Sequence, residues 1–363
     1  AGYSVRCQDL NFEALNLDCK YLGVSVMTFC FSEATKIAQE AKSKGVITIA
    51  GGIHAYIDPE SLQNAGFDYI IIGDGEKPIV NLIKALETNQ PHPRVTTNFE
   101  KDINVIPFPD FEWVDWNHYV PRAMSMSTSR DCAFKCSFCC RASRTWRSRS
   151  AENIIEEIKM RPHQGKTIEI VDDCFTLSKK RILELRDLIK KENLNVPLSL
   201  MNGVRIDSLD HEVLHALMDI KVMNINIAVE SAAPDVLAFT NKRITIEQVE
   251  DCIGLLKDHG YNKHGRMTIY MIVGLPLDTL EKSLYSIQWA KKQKVLSAWC
   301  LATPFPKTPM FDWVNENATW LIDPKDYANY AGTYSKLNVM FETKDFTKAE
   351  RLLAIEKAKR IGK

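Results

Sequence analysis

Apolar residues occur along the chain in short blocks separated by longer amphipathic stretches. Leu22–Met27, Val46–Ala50 and Asp68–Ile72 have strand length, and Ser4–Cys7 is a weaker block before them. Between them Ser32–Lys44 sets Ala34, Ile37, Ala38 and Ala41 on one helical face, and Lys77–Thr88 is a further helical stretch. Strands alternating with helices predict a parallel, doubly wound sheet over the first hundred residues. Such sheets bind ligands at the carboxyl ends of their strands. Gly51-Gly52 and Gly73-Asp74-Gly75 fall at those ends. They make tight turns there, or they let a flat, bulky ligand approach the backbone.

Pro91-His92-Pro93 and Pro107-Phe108-Pro109 bracket an aperiodic stretch that reads as a linker, with Trp113, Trp116 and Tyr119 expected to pack the junction. From Ala123 the alternation restarts. Strands are expected at Ala123–Thr128, Thr167–Val171, Pro197–Met201, Val222–Val229, Arg266–Val273 and Val295–Thr303. Helices are expected at Ala151–Met160, Leu177–Glu192, His211–Asp219, from the capping box Thr245-Ile246-Glu247-Gln248 to His259, and at Asp278–Lys292. Six such units predict an open or closed parallel barrel. Asp172, Asp173, Arg205, Glu230 and Ser231 all lie just past a strand end, as does a cysteine-rich loop. In a barrel those ends share one mouth, where active sites are built. Asp278 and Glu281 stand at capping-box spacing, so Glu281 is given no catalytic role.

Composition narrows the possibilities. A chain of 363 residues, 45% hydrophobic and 25% charged, suits about two globular domains. The formal net charge of zero offers no global field for nucleic acid or an anionic membrane. No run reaches the ~18 apolar residues of a membrane span, and no signal peptide is visible. The ten cysteines are scattered except at the loop, which suggests a reducing cytoplasm. The chain starts without Met and ends in a charged helical stretch, so a piece of a longer protein is expected.

The loop holds Cys132, Cys136 and Cys139 at C-x3-C-x2-C spacing, with Cys140 following directly. Thiolates this close can converge on one soft metal centre. An iron–sulfur cube usually takes four Cys. Three would leave one iron free for a ligand from outside the protein. Structural zinc is disfavoured, because it wants four closed ligands and no paired C-x2-C or His partner stands nearby.

Cys132-x3-Cys136-x2-Cys139, with Phe138 before the last cysteine, resembles the signature of radical S-adenosylmethionine (radical SAM) enzymes. Asp172-Asp173-Cys174-Phe175-Thr176, Glu230-Ser231, Gly274-Leu275-Pro276 and Thr303-Pro304-Phe305-Pro306 resemble later segments of that fold, in order. Ser25-Val26-Met27, Gly51-Gly52-Ile53-His54 and Gly73-Asp74-Gly75-Glu76 resemble turns of the cobalamin-binding domain that precedes many such enzymes. That domain's Asp-x-His-x-x-Gly loop would lie before Ala1, and one β-α unit of the domain is expected to be missing. The implied architecture is a Rossmann-like (flavodoxin-like) sheet over residues 1–95, a linker over 96–122, a partial (β/α)6 TIM-type barrel over 123–310 and a helical extension over 311–363.

The resemblance implies that three cysteines hold a [4Fe-4S] cluster whose open iron takes SAM. Asp172 or Asp173 would meet the SAM ammonium, or alternatively cap the next helix. Glu230 would bind the ribose, or alternatively pair with Arg205 or Lys242. Arg205 would meet the SAM carboxylate, Ser231 would stand beside Glu230, and Gly274 and Pro276 would shape the adenine pocket. Phe138 would pack beside the cluster, and Cys140 would be a spectator. Ser25, Gly51, Gly52, His54 and Gly73 would contact cobalamin, although a lone His after a glycine turn is also commonly structural.

The function implied is cobalamin-dependent C-methylation of an unactivated carbon in a small-molecule, lipid or natural-product substrate. Flavodoxin or ferredoxin would donate the electron. Cyclisation or rearrangement is an alternative chemistry of similar enzymes. A tRNA methylthiotransferase with a second cluster at Cys7, Cys19 and Cys30 is another, which zero net charge suits poorly. Tyr327, Tyr330 and Tyr334 are expected to pack a helix rather than line a substrate surface.

Overall fold

The computed structural model describes residues 2–111, 118, 123–161, 167–263, 265–331 and 338–361. Trp113, Trp116, Tyr119 and Tyr334 lie outside the described residues.

The first sheet holds β1 (Tyr21–Ser25), β2 (Ile47–Gly51), β3 (Tyr69–Gly73) and β4 (Val95–Asn98). They are parallel and in sequential order. Around them lie α1 (Phe31–Ser43), α2 (Ile53–Ile57), α3 (Pro59–Asn64) and α4 (Glu76–Glu87). The α1 face foreseen from the apolar spacing is the buried one, through Ala34, Ala38 and Ala41. Asp58 caps α3 by accepting from Ser61 N. Ser4–Cys7 is not a strand: those residues are exposed and find no ladder partner, so their apolar alternation has no face to bury. β4 was not foreseen, because Thr96-Thr97-Asn98 is too short and polar to stand out. It follows the prolines directly and completes the described sheet.

The second sheet is β12-β11-β10-β9-β8-β5, all parallel. Its strands are β5 (Ala123–Met126), β8 (Thr167–Ile170), β9 (Leu198–Val204), β10 (Val222–Glu230), β11 (Met267–Val273) and β12 (Leu296–Leu301). It is a partial barrel, with β5 and β12 at its edges. Two short strands interrupt the run: β6 (Ser129–Arg130) and β7 (Arg147–Ser148) pair antiparallel across the neck of the cysteine loop.

The outer helices are α5 (Ala151–Met160), α6 (Lys179–Lys191), α7 (His211–Asp219), α8 (Pro234–Phe239), α9 (Ile246–Asp258) and α10 (Leu280–Lys292). Ser150, Ser178, Asp210, Thr245 and Thr279 cap α5, α6, α7, α9 and α10, and the Thr245–Gln248 capping box is formed. The cap of α10 is therefore Thr279, not Asp278, which is occupied elsewhere. The main core lies between these helices and the strands, with Ile168, Leu198, Ile225, Ile227 and Ile269 fully buried.

After β12 come α11 (Pro309–Asn317), an antiparallel pair of β13 (Thr319–Trp320) and β14 (Phe341–Glu342), and α12 (Lys348–Ile361). A second apolar cluster joins Leu275, Met310, Tyr327, Tyr330 and Phe341, with Phe31 of α1 and Phe138 of the cysteine loop packed on its margin. Tyr327 and Tyr330 are thus packed, as expected. No described helix is long and apolar enough to cross a membrane.

Candidate functional site

The cysteine loop leaves the carboxyl end of β5 and is framed by hydrogen bonds from elsewhere in the chain. Arg144 donates to the carbonyls of Phe134 and Cys139, at 2.7 and 2.8 Å. Asn241 donates to the Lys135 carbonyl at 2.9 Å, and Ser137 N to the Thr240 carbonyl at 3.0 Å. The Arg205 guanidinium carbon stands 3.7 Å from the Phe134 ring centroid. Phe138 packs inward on the second apolar cluster.

Cys132, Cys136 and Cys139 are free and half-buried. Burial pushes the Cys132 and Cys136 thiols up, and each also feels the charge of Cys139. Arg141 interacts with Cys132 and Cys139, and Lys242 and Arg205 oppose the rise at Cys136. Two thiols that each feel the third, beside three cations, form a donor set suited to an anionic iron–sulfur cluster. Among the described residues no three acidic, thiol or imidazole groups surround a single ion-sized point. A cube does not require that, since each thiolate takes a separate iron. Burial pushes the adjacent Cys140 thiol up to about 11. Cys7 and Cys19 are exposed and Cys30 is half-buried.

The two consecutive aspartates part company. Asp172 is buried and accepts from Thr128 N at 2.6 Å, Thr128 Oγ1 at 2.5 Å and Ser129 Oγ at 2.6 Å, locking the end of β5 to the end of β8. Asp173 pairs with Arg141 at 2.6 Å, and burial raises its pKa. The Glu230 carboxylate meets the Lys242 ammonium at 2.7 Å, the ion pair that stood as its alternative. Glu230 has φ of 74°, a left-handed conformation at the strand end. Lys242 also donates to the Ala228 carbonyl at 2.5 Å. Arg205 forks onto Asp207 at 2.8 and 2.7 Å and donates to the Lys242 carbonyl at 2.7 Å. Ser231 is buried, accepts from Ala233 N at 3.2 Å and lies 3.3 Å from Ser286 Oγ of α10. Gly274 opens the turn that contains Pro276, with φ of 85°.

In the first sheet, a Cβ on Gly52 would stand 2.7 Å from the Val26 carbonyl and 3.1 Å from Ser25 Oγ. One on Gly73 would stand 2.1 Å from the Asn98 carbonyl. These glycines are required by close backbone approach within the domain. Gly51 belongs to the same close approach: its carbonyl accepts from Val26 N at 2.9 Å. His54 is fully buried, with Nε2 3.0 Å from Ser61 Oγ and its ring between Phe31 and Tyr327. His54 Nδ1 has no partner among the described residues.

A cavity of about 320 Å³ lies between the two sheets, with Gly52, Tyr56 and Gly73 on one wall and Asp131, Arg141 and Asp173 on the other. Its rim is a charged network. Asp74 accepts from Arg130 at 2.6 Å and from Arg147. Arg130 also reaches Glu76 at 2.5 Å, and Arg147 also reaches Asp131 and the Glu100 carbonyl. Sequence reasoning named Asp74 and Glu76 only as part of a turn and passed over Arg130, Arg147 and Asp131 as their partners. The signal was available in the arginine run Arg141, Arg144, Arg147, Arg149 directly after the cysteines, although nothing local named their partners.

Residues 126–290 match the Radical SAM superfamily, and residues 1–83 match the B12 binding domain. The chain is 27% identical over 349 residues to an uncharacterized methyltransferase of Pyrococcus horikoshii, covering 85% of this chain and 73% of that protein. It is 26% identical over 322 residues to the anaerobic magnesium-protoporphyrin IX monomethyl ester cyclase of Rubrivivax gelatinosus, covering 80% of this chain and 57% of the cyclase. Among solved structures, the radical SAM methyltransferase TsrM from Kitasatospora setae, with cobalamin and a [4Fe-4S] cluster bound, aligns with a TM-score of 0.74 at 16% identity. That alignment covers 94% of this chain and 78% of TsrM. The cobalamin-dependent radical enzyme OxsB aligns at 0.65 and 17%, over 95% of this chain and 54% of OxsB. At such identities the likeness is one of fold.

Proposed function

We propose, for a chain that joins a B12-binding domain to a radical SAM domain, that it cleaves SAM reductively and methylates an unactivated carbon with the help of cobalamin. The observation that carries this reading is the position of Arg141. It feels the thiols of Cys132 and Cys139 and also lines the cavity facing Gly52 and Gly73. The metal loop and the first domain therefore open on one space.

When bound, the cluster supplies the electron that yields a 5′-deoxyadenosyl radical from SAM, and cobalamin supplies a methyl carrier. Cys132, Cys136 and Cys139 hold the cluster, and Arg141, Arg205 and Lys242 offset the thiolate charge. Asp173, at the cavity wall, is the aspartate we assign to the SAM ammonium. Asp172 positions it by holding the ends of β5 and β8 together. Glu230 and Ser231 border the ribose side, and Gly274 and Pro276 the adenine side. Ser25, Gly51, Gly52 and Gly73 form the first domain's wall toward cobalamin. Phe138 walls the cluster, and His54 supports that domain from beneath.

The substrate is a small molecule admitted to the shared cavity, and a flavodoxin or ferredoxin is the electron donor. The free thiols suit the cytoplasm. The test is anaerobic: purify the chain with cobalamin supplied, reconstitute iron and sulfide, then add SAM and reductant. Absence of iron or of 5′-deoxyadenosine would sink the radical chemistry. Iron without bound cobalamin would remove the methyl-transfer route. A product cyclised without gaining a methyl group would favour the chemistry named for the Rubrivivax relative.

A further inference from the structure

A charged side chain lies fully buried among the described residues of the core. Arg351, on α12, is 2% exposed. Its guanidinium carbon stands 4.2 and 4.8 Å from the ring centroids of Phe341 and Phe346. Nε donates to the Phe346 carbonyl at 3.1 Å, and Nη1 donates to the Gly274 carbonyl at 2.7 Å. Burial pulls its pKa down to about 10.

Burying such a charge is costly, and a Met or Leu would fill the slot between two phenyl rings without that cost. What a Met or Leu would not supply is the donor to Gly274. That glycine directly follows β11, with φ of 85°. A Cβ there would stand 2.1 Å from Arg351 Nη1, so the arginine occupies the space that the missing side chain leaves. The same residue is also held through its N–H, in the preceding peptide unit. Asp278 accepts from Gly274 N at 2.8 Å and from Ser283 Oγ at 2.7 Å. Burial raises the Asp278 pKa, and Arg351 opposes that rise. Leu275, next in the turn, is buried in the second apolar cluster. The turn Gly274–Asp278 is thus held between α12 and the start of α10.

We propose that Arg351 is a positioning residue for the SAM pocket. From outside the cavity it fixes the Gly274 carbonyl, and so the Gly274-Leu275-Pro276 turn that borders adenine. The proposal rests on the SAM reading above. It makes the final helix part of the cofactor site, with affinity for SAM set by a side chain that never touches it.

The experiment compares the full reconstituted chain with Arg351→Met and Arg351→Lys. Three quantities are read: iron content, SAM dissociation by equilibrium dialysis, and hydrogen exchange of the peptide spanning Gly274–Thr279 in SAM-free protein. Arg351→Met is expected to keep wild-type iron and to exchange that peptide faster. Its SAM affinity falls by about tenfold, the worth of one charge-assisted hydrogen bond. The rate of 5′-deoxyadenosine formation at saturating SAM stays within about threefold, so the loss appears in KM. Arg351→Lys, which keeps a cation and a donor, restores part of the affinity. Wild-type affinity and exchange in Arg351→Met would overturn the proposal. So would a loss of affinity that only tracks a lowered melting temperature in both variants. If Arg351→Met does not fold, wild-type exchange and affinity in Arg351→Lys decide against it, and an intermediate loss supports it. Failure of the wild-type chain to bind SAM overturns the functional reading instead, while the exchange measurement still reports whether Arg351 holds the turn.

Discussion

The Tyr327 phenol donates a 2.6 Å hydrogen bond to the Asp58 carboxylate, 269 residues earlier. It joins the segment after the barrel to the first domain, beside the buried His54 ring. Lys307 adds a second tie by donating to the Tyr56 carbonyl at 2.5 Å. The cavity walls are therefore held by contacts that neither domain makes alone.

Burial pushes the Asp58 pKa up, but the bonds from Tyr327 and Ser61 N outweigh it, and the net value lies below the usual one. A depressed carboxylate contributes stability above its unfolded pKa and loses it as pH falls through the folded value. Tyr327→Phe is expected to cost about 1–2 kcal/mol at neutral pH. It should also flatten the loss of stability below about pH 4. Urea denaturation at several pH values checks both.

His54 titrates in the other familiar window. Burial lowers its pKa to about 4, against 6.5 for the free group. Above pH 6.5 the ring is neutral in both states and contributes no slope. As pH falls from 6.5 toward 4, the unfolded chain takes a proton that the folded one refuses, so stability declines by roughly 2–3 kcal/mol. His54→Gln should remove that slope. An unchanged slope in the variant would assign the titration elsewhere.

Asp74→Asn removes the carboxylate shared by Arg130 and Arg147. Arg147 is buried, while Asp131 and Glu76 remain as second partners. The expected cost is about 3 kcal/mol, the low end for breaking a buried ion pair. The denaturation midpoint should fall, and cobalamin retention on gel filtration should fall with it.

Serine at Cys132, Cys136 or Cys139 should each abolish the reconstituted cluster, read as iron content and visible absorption. Cys140→Ser should retain it, because this thiol adjoins the triad rather than completing its spacing. Loss of iron in Cys140→Ser would make it a ligand.

Much of the site was legible because its signals are local. C-x3-C-x2-C needs only a loop, and strand periodicity placed that loop at the end of β5. Capping at Thr245 was legible for the same reason, and so was the Glu230–Lys242 pair as one of two options. The two aspartates show where such reasoning stops: adjacent in sequence, Asp172 turns to Thr128 and Ser129 while Asp173 turns to Arg141.

The sequence by itself determined the cysteine loop, the two parallel sheets and the order of the strand-end residues, because hydrophobic period, glycine turns and cysteine spacing act over a few residues. Only the tertiary structure decided the partners: Asp74 with Arg147, 73 residues apart, Gly274 with Arg351, 77 apart, and Asp58 with Tyr327. Those pairings join charges or polar groups whose local surroundings are unremarkable. They meet because the sheets, once folded, bring strand ends and the final helix together, and a buried polar group must then find whichever partner the topology supplies.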